Sequence, residues 1–538
     1  MADRLIPLEL PPGLYRNGTV YQSKGRWYDA NLVRFTGGAV QPIGGWRYAQ
    51  DDAGANLSLL AGVPRGAIGW RGTAGDPFLA MGTTQKLQLY AGGILRDITP
   101  VGFVAGREDT GYSTPSGTYG AGVYGTGAYG LGSATAVLVE ADNWQLYTFG
   151  DYLVGVCTSD KKLYLWAGNV VVPAASVNFS ATSVDAPTTC TGVVVTPERF
   201  LVILGTGGNI RRVSWASQET STVWAPLTTN SAGDFDLTTA GKIMCGHRTK
   251  NETLIWTDVD LHRMTYIGGL LVYRFSQAGE KCGVISPRAA VTVDTQALWM
   301  GRHNFYMYDG FVKPLPCEVR DFVFGDLNDV QSAKIWATTI AEYGEAWWFY
   351  PSASSTEINR YVVYNYREGH WTVGAMRRSA GCDAGSLAKP IMIAPSGAVF
   401  EHEVLQNRPG VAGDGAGINI MTETGVDITT EALFQILSET SPLVPYLDSG
   451  PVQVGEGDVL MSVQRIVPDE RTLGDVTATI HSAIYPTEPE ITNGPYSLAN
   501  PTSVRIVARQ VRIRLDEARM ADWRVGTLRF GVRPSSRR

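Results

Sequence analysis

Residues able to do chemistry are few in this chain and widely spread. Its six histidines, His247, His262, His303, His370, His402 and His481, fall on separate predicted strands or turns. Two short clusters stand out. Asp258-x-Asp260-x-His262 could present its side chains on one strand face, because residues two apart point the same way. Glu401-His402-Glu403 offers a carboxylate pair around an imidazole. A metal site needs three or four convergent ligands with partners behind them, and neither stretch supplies these locally. Both therefore read as surface strand or turn residues. The chain has no Walker A loop, no HExxH and no GxSxG elbow. Gly120-x-Gly122-x-x-Gly125 and Gly125-x-Gly127-x-x-Gly130 fit the dinucleotide fingerprint, but neither sits between a strand and a helix, where that pattern binds phosphate. No cofactor is expected. The six cysteines (Cys157, Cys190, Cys245, Cys282, Cys317, Cys382) include no CxxC pair and read as buried thiols.

The elements that would position these groups are strands. At 538 residues the chain exceeds one core, and about three domains is the prior. Hydrophobic residues make up 44%, which argues for a folded protein; 61 glycines, 24 tyrosines and 14 tryptophans suggest turn-rich β structure. The net charge of −6 is too mild for an electrostatic nucleic-acid binder overall. Neither a signal-peptide core nor a run of about 18 apolar residues occurs, so a soluble protein made in the cytoplasm is expected, with no stable membrane insertion.

The stretch 334–374 shows the pattern best. Four short antiparallel strands are predicted at 335–341, 346–350, 360–366 and 370–373, rich in Trp, Tyr, Val and Ile. Tyr343-Gly344, residues 351–356 and Glu368-Gly369 supply the turns. A similar cadence recurs from Ala61 onward, with IMIAPSGAVFEHE as a possible last copy. The aromatic-strand markers Trp166, Trp215, Met264 and Tyr308 lie 49, 49 and 44 residues apart. Repeats of about 40–50 residues built from four strands are the signature of propeller blades. Six or seven blades fit residues 55–405, with stacked sandwiches as the alternative. Residues 1–54 carry turn pairs between short strands and read as an arm or edge segment that docks on something.

An insertion at about 104–136 interrupts the repeat. Its core, 111–132, repeats Tyr-Gly-x-Gly around Tyr119, Tyr124 and Tyr129. Glycine at that density holds no packed core, so these tyrosines belong to a loop that gates, makes a distal contact or simply decorates the surface. Beyond His402 the composition shifts. A linker (NRPGVAGDGAG) and a short helix at 429–440 are expected, then period-two strands of a smaller sandwich-like β domain over 406–538. Its charge is uneven: residues 401–480 hold 13 acids and 3 bases, residues 501–538 hold 10 bases and 3 acids. Arg505, Arg509, Arg512, Arg514 and Arg524 lie among these strands, either pairing within the domain, forming an interface between subunits, or lying on solvated strand faces.

Several phrases resemble one family, the tail nozzle, tail tubular or packaged-DNA stabilisation proteins of short-tailed bacteriophages. They are LPPGLYRNGTVYQSKGRWYDANLVRF, the Tyr-Gly-x-Gly insertion, WWFYPSASSTEINRYVVYNYREGHWTVG, MSVQRIVPDERTLGDVTATI and PYSLANPTSVRIVARQVRIRLDEARMADWRVGTLRFGVRP. The resemblance implies an all-β propeller of the virion tail, assembled as a homo-hexamer below the head–tail adaptor ring. It also implies tail-fibre or tail-tip partners and transient contact with double-stranded DNA during ejection. It brings no catalytic residues. A duct for DNA should be acidic or neutral, since a basic bore would hold phosphate in a salt-dependent grip. The alternative is a carbohydrate-binding or glycan-hydrolysing propeller of a tail fibre. The repeated Ser-x-Asp-x-Gly-x-x-Trp turns common in sialidases are absent, and no carboxylate pair is nominated.

Overall fold

Each copy of the cadence folds into one four-stranded antiparallel sheet. The computed structural model describes residues 4–112, 138–168, 177–178, 185–404, 443–453, 460–485 and 488–535. Among them, seven such sheets follow in chain order: 64–97, 144–178, 192–236, 243–279, 290–314, 336–375 and 380–402. The first strand of each sheet lies beside the first strand of the next, and the seventh, Ala380–Cys382, returns to Pro64–Arg71 of the first. The chain is therefore all-β, with a seven-bladed propeller at its centre. The blade at 336–375 has strands Trp336–Ile340, Glu345–Tyr350, Arg360–Asn365 and His370–Ala375, all within a residue or two of the expected bounds.

Tryptophan links the blades. The Trp144 indole donates to Thr83 O at 2.8 Å, Trp299 to Cys282 O at 2.7 Å, Trp336 to Arg378 O at 2.8 Å and Trp348 to Ala289 O at 3.0 Å. Each ring buries a large apolar surface and satisfies its one donor on a neighbouring segment. Glycine lets the inner strands approach: a Cβ on Gly82 would lie 2.4 Å from the Trp144 ring, and one on Gly66 would lie 2.8 Å from the Trp144 Cβ.

The seventh blade takes its outer strand from the other end of the chain. Trp46–Tyr48 pairs antiparallel with Val399–His402, setting Trp46 opposite His402 and Arg47 opposite Glu401. The first 48 residues also reach the second unit, a pair of packed sheets. One holds Arg4–Pro7, Arg529–Pro534, Met461–Val467 and Thr502–Ala508 in that order. The other runs Trp27–Asn31, Tyr446–Ser449, Gln510–Glu517, Val476–Ala483 and Ile491–Ser497. Their inner faces share Val463, Ile506, Ile513, Ile480 and Phe530 in one core, which continues through Leu14, Phe35 and Trp371 into the propeller. The segment read as a docking arm is thus a strand donor to both units. The helix expected at 429–440 lies outside the described residues.

One buried ion triad fixes this arrangement. Arg34, 2% exposed, gives two hydrogen bonds to Glu345 at 3.0 Å each and two to Glu403 at 2.8 Å each. Burial alone would lower the guanidinium pKa, but Glu345 and Glu403 outweigh it and push it up. Arg34→Ala would leave two carboxylates buried without their cation, a loss on the order of 3–5 kcal/mol. A clear fall in the urea unfolding midpoint, followed by tryptophan fluorescence, is expected. Arg34→Met combined with Glu345→Gln and Glu403→Gln should recover most of it.

Candidate functional site

The propeller axis gathers the groups best placed for function. Arg65, fully buried at the start of the first inner strand, forks onto Glu357 at 3.0 and 2.6 Å and donates to Glu108 O at 3.1 Å. Lys334, also fully buried, contacts Asp109, donates to Thr356 O at 2.6 Å and lies 3.6 Å from Glu357. Burial would raise the Glu357 carboxyl pKa, yet Arg65 and Lys334 hold it down at about 2. Arg288 donates to Ser379 O and Lys334 O at 3.1 Å each, tying the blades at 290–314, 336–375 and 380–402 together.

Below this cluster the axis is crossed by hydrogen bonds. Gln145 donates to Met244 O at 2.9 Å; the Tyr147 hydroxyl donates to Gly246 O at 2.7 Å and lies 2.8 Å from His247 Nδ1. These bonds join the second blade to the fourth, past the first strand of the third. The space that remains is about 130 Å³, lined by Gly66, Trp144, Gln145, Tyr147, His247, Arg288 and Trp336 among others. It holds about four waters at liquid density. A DNA major groove alone is about 12 Å wide, so no duplex passes here. No lining residue is a carboxylate, and the nearby Glu357 stays ionised far below neutral pH. The described axis therefore offers no acid–base pair of the glycosidase kind.

The stem of the Gly/Tyr insertion sits on the same face. Its short strands Gly111–Tyr112 and Leu138–Val139 pair with each other. Gln331 clamps Thr110 from both sides, accepting from its N–H at 3.1 Å and donating to its carbonyl at 3.0 Å. Asn143 donates to Ala333 O at 2.9 Å. Tyr119, Tyr124 and Tyr129 themselves lie outside the described residues.

Of the polar clusters expected on the surface, Asp260, His262, His402 and Glu403 are buried, while Asp258 and Glu401 are half-buried. Asp260 and His262 are 3% and 4% exposed and lie 3.2 Å apart; Asp260 also accepts from Thr239 at 2.9 Å and Gln277 at 3.1 Å. Asp258 turns away to accept Lys242 N at 2.8 Å. Glu401, His402 and Glu403 form the clasp of ring closure. Glu401 pairs with Arg47 at 2.7 Å, the His402 ring stacks on Trp46 at 5.3 Å, and Glu403 grips Arg34. Burial and then Arg378 push the His402 pKa well below its usual value. Among the described residues no cluster of His, Cys, Asp or Glu could hold a metal, and no helix is long and apolar enough to cross a membrane.

The five arginines divide. Arg512 pairs with Glu490 at 2.9 Å and Asp448 at 3.4 Å, and Arg514 pairs with Asp516 at 2.9 Å while covering the Tyr446 ring at 4.1 Å. Arg509 lies 4.7 Å over Tyr485, and Arg524 donates to Thr36 O at 2.8 Å. Arg505 points outward from the edge strand Thr502–Ala508. The axial cluster was missed because Arg65 belongs to the first blade while Lys334 and Glu357 belong to the sixth, almost 270 or more residues on.

No protein-family model and no curated protein matches the chain. Solved structures similar to it include the Pan2 WD40 domain of Neurospora crassa, 8% identical with a TM-score of 0.34, covering 64% of this chain and 96% of that one. U3-55K is 8% identical with a TM-score of 0.37, covering 66% and 99%. An exo-beta-1,3-galactanase from Phanerochaete chrysosporium is 9% identical with a TM-score of 0.23, covering 91% and 99%. At such scores none bears on function, and the propeller is read from its own sheets.

Two measurements check the axis. Burial lowers the His247 pKa to about 4, so its unfolded form takes up a proton near 6.5 while the folded form does not. Stability contributed by neutral His247 is complete above pH 6.5 and is lost as pH falls toward 4, by at most about 3 kcal/mol. His370 and His402, also lowered, act in the same sense; Asp448, raised to about 6 by burial, acts in the opposite one. Melting temperatures measured between pH 7.5 and 4.5 should fall, with a shallower fall in His247→Gln. Gln331→Leu should speed hydrogen exchange at 108–112 and 138–143, since it strands the buried Thr110 amide at a cost of about 1–3 kcal/mol.

Proposed function

We propose that the chain is a structural, non-enzymatic protein of a short phage tail, a nozzle or hub made in the host cytoplasm and built into the virion. Six copies form a ring below the head–tail adaptor, retain packaged double-stranded DNA and conduct it at ejection, with tail-fibre or tail-tip proteins bound outside. The observation that carries this reading is the closed axis. The central groups tie blades to one another, as a rigid building block requires, and a cavity of about 130 Å³ serves as no conduit. The DNA path in this reading runs between copies, through the opening of the ring. Support comes also from the sequence phrases shared with tail nozzle proteins and from the two-unit architecture bound by one N-terminal segment.

A second reading, a carbohydrate-binding propeller, is favoured by one feature. A polar cavity of about 560 Å³ lies between the two units, lined by Arg16, Asp29, Asn31, Phe322, Asn359, Arg360, Arg377 and Tyr446 among others. Hydrogen-bonding side chains beside an aromatic ring suit a sugar.

Native mass spectrometry with negative-stain class averages separates the two. A six-fold ring with a central opening, formed alone or with the adaptor, supports the nozzle. A monomer or trimer that binds glycan, and loses it in Asn359→Ala, supports the second reading.

A further inference from the structure

The outer face of one sandwich sheet carries an unusual set of side chains. Registers place Arg465 opposite Ser503 and Gly531, Arg529 opposite Pro7 and Val467, and Arg533 opposite Ser462, which faces Val507. Arg505 stands between Ser503 and Val507 on the same face, by the two-residue alternation of a strand. The Arg465 side chain lies over Gly531, so that a Cβ there would meet its Nε at 3.7 Å. All four arginines are exposed. The four strands of this sheet contain no Asp, Glu or Lys. Arg465, Arg505 and Arg529 have no carboxylate partner among the described residues, unlike Arg512 and Arg514 on the other sheet.

Arginine on an edge strand can serve simply to block strand addition. That accounts for Arg505 alone, because Arg465 and Arg529 lie on inner strands of the sheet. Apolar groups are set among the charges: Leu5 is 46% exposed and Val507 43%. Arginine interleaved with apolar side chains, without lysine, is the composition of a protein interface. The chain carries 51 acids against 45 bases, and four of those bases sit on this face, so the rest of the chain holds 51 acids against 41 bases and a net negative charge to complement it.

We propose that this basic face docks on an acidic surface of a second copy of the chain, as the head-to-tail contact of a ring. Such a contact joins two different patches, and it closes when the rotation per copy divides a full turn. The inference rests on the ring-forming reading above and adds which surface closes the ring. It also takes Arg465, Arg505 and Arg529 out of the duct, where guanidinium groups free of carboxylates would bind passing phosphate.

The test uses the full chain. Sedimentation velocity and native mass spectrometry at low and high salt are run on the wild type and on the triple variant Arg465→Glu, Arg505→Glu, Arg529→Glu. A matched triple glutamine variant and circular dichroism control for folding. The wild type should associate more weakly at high salt, the glutamate variant at least tenfold more weakly than the wild type, and the glutamine variant in between. A photo-cross-linker at Val507 should attach to an Asp/Glu-rich peptide of this same chain. Rings of unchanged affinity in the glutamate variant would overturn the docking face and leave the nozzle reading standing. A wild type that stays monomeric even with the adaptor would overturn both. Loss of duplex DNA binding by fluorescence anisotropy, with association intact, would make the face a phosphate site and refute the proposal.

Discussion

The structure depends on one cation held out of water. Arg34 sits on the hairpin strand Val33–Thr36, between the strand given to the sandwich and the strand given to the last blade. Its two carboxylates come from Glu345 in the sixth blade and Glu403 just past the seventh. A buried guanidinium with four hydrogen bonds is expensive to desolvate and is stable only where every partner is in place. The triad therefore forms only if the propeller has closed and the N-terminal segment has threaded between the units. It contributes specificity more than net stability, since an apolar cluster of similar volume would hold the same parts together without requiring one register. Tyr343 stacks on Arg34 at 3.6 Å and the Gly44 amide donates to Glu403 at 2.9 Å, so the surroundings complete the remaining bonds.

Local pattern was readable from the sequence, and closure was not. Trp166, Trp215, Met264 and Tyr308 all fall on the third strand of successive blades, which is why their spacing repeats. Each blade is a short-range object made of neighbouring hairpins, and its alternation and turns are written in consecutive residues. Trp46 and His402 stand 356 positions apart in numbering and meet only because the ring closes. No periodicity signals that. The motif Glu401-His402-Glu403 was visible as a cluster, but its chemistry depends on partners from residues 34–47, so it read as a surface carboxylate pair and proved to be a clasp. The same holds at the axis, where Gln331 and Thr110 are brought together by blade geometry alone.

The arginines of the C-terminal strands show the same limit at finer scale. Arg512 and Arg514 stand two apart on the strand Gln510–Glu517, but the sequence leaves open which carboxylates lie across from them. Asp448 and Glu490 answer Arg512 within the chain, and burial lifts the Asp448 pKa to about 6 despite two arginines nearby. Arg505 belongs to the other sheet, where its companions are Arg465, Arg529 and Arg533 from segments up to 40 residues away. Sheet order, not sequence order, decides which charges share a surface.

In the proposed nozzle, which would have to handle DNA without holding it, that sorting matters. A chain with net charge −6 could spread its bases evenly and present weak positive spots everywhere. Here several bases are neutralised by partners: Arg34, Arg65 and Lys334 inside the fold, and Arg47, Arg212, Arg512 and Arg514 in pairs on its surface. Three sandwich arginines without a carboxylate partner among the described residues, Arg465, Arg505 and Arg529, share one sheet face with apolar neighbours. In the proposed ring, a partner covering that positive face would leave the rest of the chain with its excess of acids, and an acidic wall lets a phosphate backbone slide because it releases no counterions on contact. In that proposal retention would come from steric closure or from the adaptor above, and the same charge asymmetry that keeps DNA from sticking would draw one copy onto the next.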